Sequence, residues 1–181
     1  HPPIEEKLNT LPFRQYLTVD GLASGSNNML VDGSVTPVEF CVKASADYDI
    51  YIKSVAVVIA DASATLSKFG NIAALTNGVK FEWISSDNGT IVIHEGLKSN
   101  FSFVRIALGT PSFGDGAGAF RAGNIVGTSE GYIPVIDFEK TFGLQWGVRL
   151  RKGSNDKLCF TVRDNVTAID GFNAVAYGIK F

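Results

Sequence analysis

Apolar and polar residues alternate along most of this chain with the two-residue period of a β-strand. Asp32-Gly33 reads as a turn, and Pro37 opens a strand through Val38, Phe40 and Val42. Ile50 to Ala60 carries the strongest strand signal. Its centre, Val55-Ala56-Val57-Val58-Ile59, is apolar on both faces, which predicts a central strand covered on both sides. Asp61 to Phe69 reads as a short helix capped by Asp61 or Ser63, with Leu66 and Phe69 facing inward and Gly70 as its stop. Asn77-Gly78 turns into a strand over Val79–Ile84, and Asp87-Asn88-Gly89 joins that strand to Thr90–His94 as a hairpin.

The second half continues in the same style. Phe101–Leu108 reads as a strand, followed by a long small-residue loop from Gly109 to Gly131 and a strand over Tyr132–Phe138. Trp146, Val148 and Leu150 alternate with Gly147, Arg149 and Arg151, which predicts a half-buried strand with the first three inward. After a turn at Ser154-Asn155-Asp156, Leu158, Phe160 and Val162 alternate with Cys159, Thr161 and Arg163. A last strand covers Ala174 to Phe181. Roughly eight or nine strands joined by turns predict an all-β antiparallel β-sandwich, in the form of a jelly roll.

The first residues differ. Pro2, Pro3 and Pro12 break any long helix, and Ile4, Leu8 and Leu11 form a short apolar stripe with Phe13 beyond it. Gly21 to Asn28 is small and polar. Residues 1–28 are therefore read as an extended N-terminal arm, with Ile4, Leu8, Leu11 and Phe13 as its docking residues, and 29–181 as the body. The sequence begins at His1 without a Met, which predicts trimming, processing or a longer parent chain, and no signal-peptide pattern is visible in it.

Composition narrows the classes. The 181 residues carry a formal net charge of −2 with 19% charged residues, so there is no bulk positive field for nucleic acid or an anionic membrane. The longest apolar run, Val55 to Ala60, is far below the ~20 residues of a membrane span. With only His1 and His94 and no Cys-x-x-Cys, the sequence predicts no zinc site and no cofactor. Cys41 and Cys159, in different strands, read as buried apolar residues without a disulfide, as in a reducing compartment.

Candidate chemistry is sparse. His94 is the one credible base, at a strand end and with no Gly-x-Ser-x-Gly elbow, so it reads as structural. Glu5-Glu6, Glu39, Asp47, Asp49, Asp137 and Glu139 supply carboxylates that read as solvated or turn residues. The Gly114–Gly118 segment lacks the flanking strand and helix of a dinucleotide site, and Asp164-Asn165 with Asp170 lacks calcium-loop spacing. Asn88-Gly-Thr and Asn165-Val-Thr match a glycosylation sequon without a visible secretion signal. Arg149, Arg151, Lys152, Lys157 and Arg163 are the densest basic cluster, either an ordinary charged face or a patch that meets an acidic partner.

The run Met29 to Phe40, then Tyr48-Asp-Ile-Tyr-Ile, Phe69-Gly with Ala74-Leu-Thr-Asn-Gly-Val, Leu97-Lys-Ser-Asn-Phe and Asp156 to Phe172 resemble virion structural proteins of tailed bacteriophages. In size and style the chain is most similar to capsid decoration (cement, or minor capsid) proteins. The resemblance implies a non-enzymatic sandwich, a homotrimer that binds the major capsid protein and stabilises the shell, found on the capsid surface of the virion after synthesis in the host cytoplasm. It carries over no catalytic residue and implies no nucleic-acid or membrane partner. A different reading is a receptor- or carbohydrate-binding module of a tail fibre or baseplate, with Trp83, Tyr132 or Phe113 as the stacking platform.

Overall fold

The alternating residues build two antiparallel sheets that face each other across one apolar core. The computed structural model describes residues 10–18, 31–62, 65–108, 121–122, 129–132, 135–169 and 171–181. The larger sheet contains β1 (Leu11–Thr18), β3 (Ile50–Ala62), β6 (Arg121–Ala122), β7 (Ser129–Tyr132), β8 (Val135–Asp137), β9 (Val148–Leu150) and β11 (Gly171–Lys180). The smaller contains β2 (Val38–Lys43), β4 (Val79–Ser85), β5 (Gly89–Leu97) and β10 (Lys157–Val162). Helices α1 (Asn100–Leu108) and α2 (Phe138–Phe142) complete the described elements.

Strand order is β1-β11-β3 in the larger sheet, with β7, β8 and β9 along the far edge of β3, and β2-β10-β4-β5 in the smaller. The pairings are nested. β1 pairs with β11, β2 with β10, β3 with β7 to β9, and β4 with β5, alternating between the sheets. The all-β antiparallel sandwich expected from the sequence is thus present.

Hydrophobic parity sets the register. Ile50 and Ile52 face the core, then Val55, Val57 and Ile59 do so, a switch from even to odd positions within β3. A bulge absorbs the extra residue, where the pairing with β11 shifts between Tyr177 and Gly178. Within the smaller sheet Phe160 stacks on its register partner Phe81 at 4.1 Å between ring centroids, and across the core it meets Phe172 of the larger sheet edge-on at 5.9 Å.

Several local expectations are corrected. Asp61 and Ala62 extend β3, and Thr65–Ile72 forms turns with a Phe69–Ile72 bridge, so there is no helix over 61–69 among the described residues. Phe69 is nevertheless buried. Residues 101–108, read as a strand, are helical. Among the described side chains of 101–108, Phe103 and Ile106, three apart, are buried, and a short apolar run fits either period. Buried Asn100 anchors this helix: its side-chain carbonyl accepts Gly70 N–H at 2.8 Å and its amide donates to the Gly70 carbonyl at 3.1 Å.

The central run of β3 is covered on its core face, while Ala56 on the other face is only half-buried. The stretch read as an arm contributes β1, with Leu17 buried and Phe13 packed against the core. Cys41 and Cys159 sit directly opposite each other on β2 and β10 and are joined by a disulfide, Cα to Cα 4.2 Å. The reading of two unbonded thiols fails because only the nested pairing reveals that the two strands are neighbours.

Candidate functional site

The outer face of the larger sheet carries aromatic and cationic side chains at outward positions of adjacent strands. Tyr177 on β11 stands opposite Arg14 on β1, whose guanidinium lies 5.8 Å from the ring centroid. Tyr51 on β3 stands opposite Arg149 on β9, 5.7 Å from its ring, and stacks on Phe181 at 5.3 Å. Lys53 lies 5.0 Å from the Trp146 ring and donates to the Gln145 carbonyl at 3.4 Å. Trp146, Tyr177 and Phe181 are 44%, 39% and 42% exposed.

Two glycines allow this arrangement. Gly147 has φ +79°, and a Cβ there would lie 2.1 Å from the Ile52 carbonyl oxygen. Only glycine lets the turn lie against β3 and bring Trp146 beside Lys53. A Cβ on Gly178 would lie 1.8 Å from the Tyr51 carbonyl oxygen, so the bulge next to Tyr51 also needs glycine.

Asp49 organises one end of the face. Its carboxylate accepts from Arg149 at 2.8 Å and from the Lys152 backbone N–H at 2.7 Å, and its backbone pairs reciprocally with Phe181. Burial pushes the Asp49 carboxyl up, but the Lys152 N–H and Arg149 outweigh it and hold the pKa below the ordinary value. The hydrogen bond to Asp49 in turn raises the Arg149 pKa.

The predicted basic cluster divides. Arg149, Arg151 and Lys152 gather around Asp49, Asp87 and Asp156. Lys157 pairs with Glu39 at 2.7 Å. Arg163 binds the Gly78, Asn77 and Glu95 carbonyls and the Glu95 carboxylate at the other end of the smaller sheet. Of the predicted docking residues, Leu11 is exposed and Phe13 packs on the core, while Ile4 and Leu8 lie outside the described residues.

The candidate catalytic groups have structural partners. His94 Nδ1 accepts the Gly96 N–H at 3.1 Å where β5 bulges. Asp137 caps α2 through the Lys140 N–H at 2.9 Å. Asp164 accepts the backbone N–H groups of Thr76, Asn77 and Gly78, so its oxygens are filled without calcium. Asn165 is engaged by Thr167. Trp83 is 9% exposed and belongs to the core, so it is no stacking platform, whereas Phe113 and the Tyr132 side chain lie outside the described residues. Trp146, read as inward, is the exposed indole instead, because it precedes β9 and sits in a turn.

A separate apolar pocket of about 260 Å³ opens between β5 and α2, lined by Trp83, Ile91, Ile93, Phe138, Phe142 and Leu144 among others. Among the described residues no helix is long and apolar enough to cross a membrane.

No family model, curated protein or solved structure matches the chain.

Proposed function

We propose that the protein is a non-enzymatic virion structural protein that decorates a bacteriophage capsid, binding the major capsid protein through the outer face of its larger sheet. The observation that carries this reading is the row of Tyr177, Tyr51, Phe181 and Trp146, each within contact of an arginine, a lysine or another ring. Tyr, Trp and Arg are enriched among the few residues that carry most of the binding energy of protein–protein interfaces. No third layer covers these residues among those described. The resemblance to decoration proteins points the same way, and the nested pairing of the two antiparallel sheets supports reading the sandwich as a jelly roll. A disulfide also suits a virion surface.

Decoration stabilises a shell by mass action. A protein that binds the assembled shell and not its dissociated subunits contributes about 4 kcal/mol per site at a thousandfold excess over Kd. Three copies around a local three-fold axis would engage together and gain avidity. The cations on the aromatic rings weigh against the carbohydrate-binding reading, because a sugar would have to displace them to stack.

The test is co-sedimentation of the purified protein with shells of the major capsid protein. Saturable binding at a copy number comparable to that of the shell subunit, lost in Trp146→Ser/Tyr177→Ser, supports the proposal. Failure to sediment with shells, or binding only to a glycan array, overturns it.

A further inference from the structure

We propose that, once its disulfide is reduced, the Cys41–Cys159 pair with Glu39 is a binding site for a thiophilic divalent cation of the zinc type. Cys41 and Cys159 are register partners, and Glu39 lies two residues before Cys41, on the same side of β2. The two sulfurs and a Glu39 oxygen all lie within 4.8 Å of one another, with Cys41 Sγ 3.9 Å from Oε2.

The geometry fits after a small movement. Cutting the S–S bond makes the sulfurs separate to non-bonded contact, which is close to the ~3.8 Å between two thiolates on a tetrahedral zinc with Zn–S bonds of about 2.3 Å. β2 is an edge strand and Cys41 is half-buried, so there is room for the shift and a path for the ion. Two thiolates and one carboxylate supply three ligands and leave a fourth position for water. The Thr161 hydroxyl, register partner of Glu39, is buried with no hydrogen-bond partner and is a polar group that such a water can use.

Charge is also accommodated. Two thiolates and a carboxylate around a divalent ion leave one net negative charge, and the Lys157 ammonium lies 2.7 Å from Glu39.

The steps balance. Two equivalents of a small thiol reductant deliver two electrons and two protons to the disulfide, giving two cysteine thiols, and leave as their own disulfide. Binding the cation then releases both thiol protons to solvent. Oxidised protein has no thiolate to offer, so the site exists in one redox state only.

Cadmium titration of the full chain tests this, read by the ultraviolet thiolate-to-cadmium charge-transfer band, with the fold followed by the near-ultraviolet signal of buried Trp83. Reduced protein should show the band and saturate at one equivalent. Oxidised protein and Cys41→Ser/Cys159→Ser should show none, and Glu39→Gln should bind at least about tenfold more weakly, since even outer-shell losses cost that much. If reduced protein unfolds, cadmium should restore the fold. No band on reduced protein, an affinity unchanged by Glu39→Gln, or unfolding that cadmium does not reverse would each overturn the proposal.

Discussion

Asp156 and Ser86 are 70 residues apart, and the carboxylate of the first accepts the backbone N–H of the second at 2.7 Å. The same carboxylate accepts the Ser86 hydroxyl and, at 2.9 Å, the Arg151 N–H. One buried side chain thus ties the β4–β5 turn to the β9–β10 turn.

Acid stability should reflect this. Burial raises the Asp156 pKa, but the hydrogen bonds from Ser86 and Arg151 outweigh it and bring it to about 2 from the usual 3.8. The folded value lies below the unfolded one, so the contribution is complete above about pH 4 and is lost as pH falls towards 2. Its size is about 2 kcal/mol. Asp156→Asn should lose that amount at neutral pH and have a shallower acid limb in urea unfolding measured across pH. An acid limb identical to that of the parent would refute the assignment.

Asp164 is the counterpart at the opposite turn. Its oxygens take the N–H groups of Thr76, Asn77 and Gly78, the last at 2.7 Å. Asp164→Ala leaves these donors without an acceptor and should cost about 3 kcal/mol. Asp164→Asn, which keeps one acceptor oxygen, should cost less. Equal urea midpoints for the two variants would show that the carboxylate oxygens are not what holds the turn.

The disulfide joins residues separated by 118 positions. By chain entropy, a loop of that length contributes up to about 4.9 kcal/mol. Reduced protein should therefore melt well below oxidised protein, and Cys41→Ser/Cys159→Ser should melt with the reduced form. Coincident melting of oxidised and reduced protein would contradict this.

Trp146 and Tyr177 lie outside the core, so Trp146→Ser and Tyr177→Ser should change stability by less than about 1 kcal/mol. The same variants should weaken shell binding tenfold or more. A large drop in Tm with unchanged binding would make these residues structural.

The sequence made β4, β10 and β11 legible, because Phe81, Leu158, Phe160 and Ala174 keep a strict two-residue period on a buried face. It did not separate helix from strand at Phe103 and Ile106, where a short apolar run satisfies both periods. The parity switch between Ile52 and Val55 is visible along the chain, but the bulge it signals requires knowing that β11 is the partner. The outer face was hidden for the same reason. Tyr51 meets Arg149, and Arg14 meets Tyr177, only once distant strands are in register. Trp146 was misplaced because its alternation with Val148 and Leu150 begins one step before the start of β9.

The nested pairing also governs the order in which the molecule can form. Among the described strands only β4 and β5 are joined by a short turn, and every other ladder closes a longer loop whose entropy must be lost first. Refolding should therefore be slow for the chain length, which stopped-flow fluorescence of Trp83 would measure. During synthesis β1 waits for β11, its sole pairing partner among the described strands, so the larger sheet stays incomplete until β11 itself has left the ribosome.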